Sequence, residues 1–119
     1  MNFLWRHTRD TFVVALFFFA ALNAQAIEAD VDARALVIAK QNACLGCHSA
    51  NKKIVGPSFQ DVAAKYKGNP NASMYLKSKI FHGGAGNWGV VPMPANNKLS
   101  DSDLSILVPW VLRGAPSPN

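Results

Sequence analysis

Apolar residues recur at helical spacing in four stretches of the chain, and this pattern predicts four α-helices joined by loops. The clearest stretch follows Gly56-Pro57 and ends at Gly68. Ser58 is a candidate N-cap for this helix, with Asp61 three residues later in the position of a capping box. The apolar stripe at i, i+3, i+4 and i+7 consists of Phe59, Val62, Ala63 and Tyr66.

The first helix is predicted from about residue 32 to 42, with Asp30 or Asp32 as its N-cap. Residues 114–119 follow the last helix and contain Gly, Ser and two prolines, so they are predicted to form a flexible tail. No stretch alternates apolar and polar residues in the manner of a β-strand, and the fold class is therefore predicted to be all-α.

Two further helices are predicted near the C-terminal half. One spans roughly residues 71–81, with Leu76 and Ile80 on one face. The other begins at Ser100, with Asp103 three residues later. The apolar stripe of this last helix consists of Leu104, Leu107, Val108, Val111 and Leu112. Since Pro109 lies inside the stripe and lacks an N–H, it is expected to kink the helix.

A segment rich in Gly, Pro and Asn separates the third and fourth helices. It covers residues 85–97, holds Trp88 and Met93, and is predicted to be a loop. The prolines on either side of Met93 restrict the backbone there and prevent a helix. Met93 is therefore a candidate for a thioether held in a fixed position.

The first 26 residues have the pattern of a secretory signal peptide. A basic start precedes an apolar run over residues 11–22, and Ala24-Gln25-Ala26 has the small residues of a cleavage site. The alternative is an uncleaved membrane anchor, but a run of 12 residues is short of the ~20 that a spanning helix needs. The sequence thus predicts a signal peptide at 1–26, a mature domain at 27–119 and export to the periplasm.

The mature segment is small and basic. It has 10 Lys+Arg and 6 Asp+Glu, a side-chain net charge of +4, and two cysteines. A domain of this size buries a marginal core, so a bound cofactor is expected to complete it. No lysine run with interleaved aromatic residues indicates nucleic-acid binding. The positive charge favours acidic protein partners, although it also serves simple solubility.

The chemistry is concentrated in Cys44-Leu45-Gly46-Cys47-His48, a C-x-x-C-H haem-attachment motif. Two thiols on one turn can each add to a haem vinyl group, and His48 then follows as an axial ligand. A thioredoxin-like redox pair expects a βαβ setting that is absent from the pattern. A zinc site needs two more ligands at metal spacing. A plain disulfide is the remaining alternative.

The second axial ligand is predicted to be Met93. Of the two methionines in the mature chain, Met74 lies near the start of a helix, where core packing is the ordinary explanation. His82 is a rival ligand, but a surface position at a helix end suits it better. With Met93 bound, no position on the iron is open to a substrate, so the protein is not expected to be an enzyme.

The sequence resembles the short bacterial class I cytochromes c, of the cytochrome c-551/c-552 type. The resemblance runs from about Leu36 to Leu112. The segments that carry it are CLGCH at 44–48, VGP at 55–57, DVAAKY at 61–66, GNWG at 86–89, PMP at 92–94, and LSD at 99–101 with Trp110 in the last helix. It implies a small four-helix fold wrapped around one covalently bound haem c.

The family's roles transfer to matching residues. The resemblance implies covalent attachment at Cys44 and Cys47, with His48 and Met93 as the iron ligands. It implies that the Pro57 carbonyl accepts a hydrogen bond from the other imidazole nitrogen of His48. Three weaker or peripheral roles concern groups around the haem: Trp88 as donor to a propionate, Lys79 near a propionate, and Asn96 near the methionine sulfur.

The function implied is a diffusible, monomeric periplasmic electron carrier without stable membrane insertion once the signal is cleaved. It would exchange single electrons with a donor and an acceptor protein, linking respiratory or denitrification complexes to a terminal oxidase or reductase. One alternative is a dedicated electron-transfer subunit of a single enzyme. Another is a ligand-binding or sensing haem protein whose sixth site is open because Met93 does not bind iron.

Overall fold

The computed structural model describes residues 26–118, so the predicted signal peptide lies outside the described residues except for Ala26. The chain divides into two units, Met1–Asp30 and Val31–Asn119. In the first unit, residues 26–30 are helical. Among the described residues, no helix combines the length and the apolar character needed to cross a bilayer.

The second unit has four helices, as the apolar pattern predicts. Residues 26–41 are all helical, and α1 denotes their part in the second unit, residues 31–41; a single 3-10 turn follows at Cys44–Gly46. The other three helices are α2 (Phe59–Tyr66), α3 (Ala72–His82) and α4 (Asp101–Leu112). The all-α fold class is confirmed.

The predicted start of the first helix is wrong. Residues 30 and 32 are both in helical conformation, so neither Asp30 nor Asp32 is an N-cap. The Asp32 carboxylate is buried and accepts instead from the Arg113 guanidinium just beyond α4. An aspartate that signals a helix start in sequence here serves a tertiary ion pair.

The serine caps of α2 and α4 are confirmed. Ser58 Oγ accepts from the Asp61 N–H at 3.0 Å, and Ser100 Oγ accepts from the Asp103 N–H at 3.1 Å. In α4 the Asp103 carboxylate also accepts from the Ser100 N–H, which completes a capping box. These bonds satisfy donors that the first helical turn leaves without partners.

The segment between α3 and α4 differs from the predicted loop. It begins with a two-stranded antiparallel hairpin, β1 (Gly84–Gly86) with β2 (Gly89–Met93). Gly84 pairs with Met93, and Gly86 pairs with Gly89 across the turn. Such short, glycine-rich strands pair through the backbone and leave no alternating pattern of side chains, which is why the sequence did not reveal them.

The core forms where α4 packs on the other helices. Its fully or nearly buried residues are Leu104, Leu107, Val108, Trp110 and Val111. Ala35 and Ala39 of α1 are completely buried in the same cluster. Leu76 and Ile80 of α3 also belong to it and are almost completely buried. Pro109 lies on the exposed side, and α4 continues through it to Leu112.

Residues 114–116, predicted to belong to a flexible tail, pack on α4. The Ala115 N–H donates to the Trp110 carbonyl at 3.0 Å, and the Trp110 indole N–H donates to the Pro116 carbonyl at 3.0 Å. Ala115 is buried. A buried tryptophan needs a partner for its indole N–H, and here the chain end supplies it.

Met74 is not a core residue, contrary to the ordinary interpretation of its position. Its side chain is 70% exposed on α3, whereas Leu76 and Ile80 on the other face are buried. The helix turns Met74 away from α4. Because it is exposed, Met74 is a suitable control for Met93.

Candidate haem-attachment site

A cavity of about 370 Å³ lies between the C-x-x-C-H segment, the hairpin, and helices α2, α3 and α4. Its lining includes apolar side chains from each of these three helices, among them Val62, Leu76, Ile80 and Leu107. The size and apolar character are those of a small-molecule or cofactor pocket. The apolar stripes predicted from the sequence therefore converge on one space.

Cys44 and Cys47 are brought to one side of this cavity by the 3-10 turn. Ala43 before the turn has a left-handed backbone with φ of 57°, and the His48 N–H donates to the Cys44 carbonyl at 3.0 Å. Both thiols are half-buried and part of the lining. Burial raises the pKa of the Cys44 thiol, and the nearby Cys47 adds to the increase.

The His48 ring is held by three neighbours. Its Nδ1 lies 2.7 Å from the carbonyl oxygen of Pro57. The ring stacks on Phe59 with 5.4 Å between centroids, and Gly56 lies so close that any side chain there would overlap it. Since a carbonyl only accepts, Nδ1 must carry the proton, which leaves the lone pair of neutral imidazole on Nε2.

The loop that carries Pro57 is tied back to the motif by backbone bonds. The Gly56 N–H donates to the Cys47 carbonyl at 2.8 Å, and the Phe59 N–H donates to the Ser49 carbonyl at 2.9 Å. Pro57 itself is buried. The distance between His48 and Pro57 is thus set by the loop rather than by the side chain alone.

Met93 lies at the end of β2 and lines the same cavity as His48. It pairs with Gly84, and its carbonyl passes directly against Gly83. Gly83 has φ of 70° and ψ of −151°, a conformation open almost only to glycine. The Asn96 N–H donates to the Ile80 carbonyl at 2.9 Å and fastens the chain after Met93 to α3.

Of the residues that the sequence places around the haem or as a rival ligand, only some line the cavity. Trp88 and Lys79 both line the cavity. The Asn96 side chain donates to the Asn42 carbonyl at 3.3 Å, so its amide N–H bonds to backbone in this structure. His82 is exposed at the end of α3, as expected, with its ring edge-on to Phe81.

A polar and aromatic cluster beside Trp88 was missed in the sequence. Tyr66 and Tyr75 lie 5.4 Å apart between ring centroids, and the Asn87 side-chain amide donates to the Tyr75 hydroxyl. Lys65 donates to the Asn87 carbonyl at 2.9 Å. The apolar pattern places Tyr66 only in a helical stripe, and no local spacing links these residues, which come from α2, α3 and the turn of the hairpin.

The residues of the cavity fit a covalently attached haem. Two thiols, an imidazole one residue further on and a thioether surround an apolar space, and imidazole with methionine is an established axial pair for haem iron. Within residues 26–118, no three or more His, Cys, Asp or Glu side chains are grouped to hold a metal ion by themselves.

Comparisons with known proteins agree with this geometry. A family model for cytochrome c matches residues 33–114. Cytochrome c-551 of Allochromatium vinosum is 48% identical over 77 residues, which are 65% of this chain and 82% of that protein. Cytochrome c-552 of Nitrosomonas europaea is 43% identical over 93 residues, covering 78% of this chain and 85% of that protein.

The crystal structure of wild-type Nitrosomonas europaea cytochrome c552 superimposes with a TM-score of 0.63 at 43% identity. It covers 66% of this chain and 98% of the solved one. Fold and site together define a small helical protein with one C-x-x-C-H haem site. The chain belongs to the cytochrome c family of monohaem electron carriers, which bind covalently attached haem c, and it is not an enzyme.

Proposed function

We propose that this chain is a periplasmic carrier that shuttles single electrons between respiratory or denitrification complexes and a terminal oxidase or reductase. In this role, Cys44 and Cys47 hold the haem while His48 and Met93 bind its iron. The observation that carries the proposal is that His48 and Met93 line the same apolar cavity as the two thiols.

His48 and Met93 supply two different ligand atoms to the iron in this proposal. The haem, when bound, supplies one-electron chemistry, and histidine with methionine ligation stabilises the ferrous state. His48 offers Nε2 because Nδ1 is occupied by Pro57. Met93 offers a thioether on a strand held against Gly83. With both ligands in place no coordination position is left for a substrate, which suits electron transfer.

The surface charge supports brief docking to acidic donor and acceptor proteins. The exposed lysines are Lys40, Lys52, Lys53, Lys65, Lys67 and Lys98. Surface charge of this kind accelerates encounter, and its effect weakens as salt rises. A monomer that docks and leaves fits such a surface.

The decisive test is the optical spectrum of the purified holoprotein with Met93→Leu and, as the matched control, Met74→Leu. Leucine keeps the volume of methionine but removes the sulfur. We expect the weak long-wavelength band of sulfur-bound ferric haem in the wild type and in M74L, and its loss in M93L. The reduced wild type should not bind carbon monoxide, whereas reduced M93L should bind it.

The other outcomes separate the alternatives. A wild-type protein that lacks the band and binds carbon monoxide when reduced would be a ligand-binding haem protein. Purification from native membranes and periplasm in a fixed ratio with one large enzyme would instead favour a dedicated subunit. A protein recovered free, with the band, is the shuttle.

Export and the domain division are also proposed: a cleaved signal at 1–26 and a mature domain at 27–119. The basic start, the short apolar run and the Ala-Gln-Ala site support them. Periplasmic fractionation and N-terminal sequencing test both. A mature chain that starts at Ile27 is expected, and an intact Met1 in the membrane fraction would contradict cleavage.

A further inference from the structure

Lys65 makes two contacts that converge on the turn of the hairpin. Its Nζ donates to the Asn87 carbonyl at 2.9 Å and lies 4.4 Å from the centroid of the Trp88 ring. An ammonium at this distance over an indole face is a cation–π contact, and its three N–H groups permit the hydrogen bond as well. Lys65 itself is exposed and lies outside the cavity lining.

The hairpin has little else to fix it. Every residue of β1 and the first four of β2 are exposed, and Val90 is 92% exposed. Met93 at its far end is half-buried. A hairpin with so little buried apolar area is marginal by itself, so its position depends on side-chain contacts with the helices.

The turn also contacts α3, where Asn87 donates to the Tyr75 hydroxyl. Asn87 is therefore held from both sides, by Lys65 of α2 through its carbonyl and by Tyr75 of α3 through its amide. Trp88 follows directly and lines the cavity. The Lys65 ammonium lies over the ring of this side chain.

We propose that Lys65 is a positioning residue: its ammonium fixes the hairpin turn and directs the Trp88 indole into the cavity. Through the paired strands it also steadies the end that carries Met93. The inference deepens the proposed function, because it rests on Trp88 and Met93 facing a bound haem. It assigns Lys65 a role in the site in addition to its share of the positive surface charge.

The test uses the Trp88 indole N–H of the holoprotein, observed by nitrogen–proton NMR. The mature chain contains two tryptophans, and Trp110 serves as internal reference because its indole N–H is bonded to Pro116. Lys65→Met removes the charge while keeping an unbranched side chain. Lys67→Met is the matched control, because it removes the same charge from a lysine that is also exposed and lies outside the cavity lining.

In K65M, the Trp88 signal should move and its exchange with solvent should rise about tenfold, the combined effect of one hydrogen bond and one cation–π contact. The Trp110 signal should stay in place. K67M should leave both signals unchanged. Lys65→Arg should keep exchange slow, because a guanidinium can also donate a hydrogen bond and make a cation–π contact with an indole ring.

The inference is overturned if the Trp88 signal and exchange are the same in K65M and K67M, or if both variants move it equally. The sulfur band of ferric haem keeps this result separate from the proposed function. A normal band with an unmoved Trp88 signal removes the role of Lys65 and leaves Met93 ligation intact. Absence of the band in the wild type removes the ligation proposal instead.

Discussion

Gly56 lies in close contact with the imidazole of His48, so that a Cβ at residue 56 would lie within 3.0 Å of both ring nitrogens. The absence of a side chain there lets the ring reach the Pro57 carbonyl from one side and the Phe59 ring from the other. The orientation of the proposed iron ligand is therefore determined by a glycine eight residues away in sequence.

The first prediction concerns this contact. Gly56→Ala should displace the His48 ring, weaken its bond to Pro57 and lower the free energy of unfolding by about 1–3 kcal/mol, the usual range for overpacking. The reduction potential should rise, because a ligand that loses its hydrogen-bond acceptor is less basic and stabilises ferric iron less. Denaturant unfolding and potentiometry of the holoprotein measure both.

Gly46→Ala is the control for this variant. A Cβ at Gly46 meets nothing within 4 Å, although the residue lies inside the C-x-x-C-H segment. It should leave potential and stability close to those of the wild type. Equal behaviour of G46A and G56A would show that the close approach to His48 is unimportant.

A second prediction concerns Gly83 and the Met93 strand. Gly83→Ala would place a Cβ 2.7 Å from the Ala95 nitrogen and against the Met93 carbonyl, in a backbone region that only glycine adopts readily. We expect weakened methionine ligation, observed as loss of the sulfur band at lower temperature than in the wild type.

Gly86→Ala separates the close approach of the new Cβ from the strain of a positive φ, which are the two possible causes in Gly83→Ala. Gly86 also has positive φ, at 111°, but a Cβ there meets nothing within 4 Å. It should therefore cost folding stability while keeping the band to higher temperature than G83A does. The same melting of the band in both variants would exclude the close approach as the reason.

A third prediction concerns the ion pair of Asp32 and Arg113. Asp32→Asn should lower the free energy of unfolding by about 1–3 kcal/mol, because a buried acceptor for the guanidinium loses its charge. Asp101→Asn, at an exposed carboxylate in the first turn of α4, should cost less than about 1 kcal/mol. Comparable losses in urea unfolding would refute a special role for the ion pair of Asp32 with Arg113.

A fourth prediction is a dependence of stability on alkaline pH. Burial raises the pKa of the Tyr66 phenol above its usual value, and the adjacent Tyr75 adds to the increase. The folded state therefore holds this proton more tightly than the unfolded state. The protonated Tyr66 phenol therefore makes its full contribution to the free energy of unfolding below about pH 10, the pKa of tyrosine in the unfolded chain. This contribution is lost as the pH rises through the pKa of Tyr66 in the folded state.

Tyr66→Phe removes this group, so its free energy of unfolding should fall less steeply than that of the wild type from about pH 10 upward. Urea unfolding at several pH values, on both proteins, gives the two slopes. Parallel curves would mean that Tyr66 ionises alike in the folded and unfolded chains.

The sequence predicted much of the fold because the signals are local. Ser58 and Ser100 cap the helices expected of them, since a cap depends on residues three positions apart. The cysteines and His48 fall on one turn for the same reason. The roles of His48, Met93, Pro57 and Trp88 toward the haem stay predictions, with their positions around one cavity in support.

By itself, then, the sequence determined the four helices and the attachment segment, which depend on spacing along the chain, and the resemblance of its segments indicated the family. Only the tertiary structure revealed the pairing of Gly84 with Met93, the use of Asp32 as partner of Arg113, and the packing of Ala115. It also placed Met74 in solvent and Lys65 over Trp88. Asp32 and Arg113 are far apart in sequence, as are Lys65 and Trp88. The other features are closer in sequence, but all of them depend on burial and distances in the folded chain that no local pattern records.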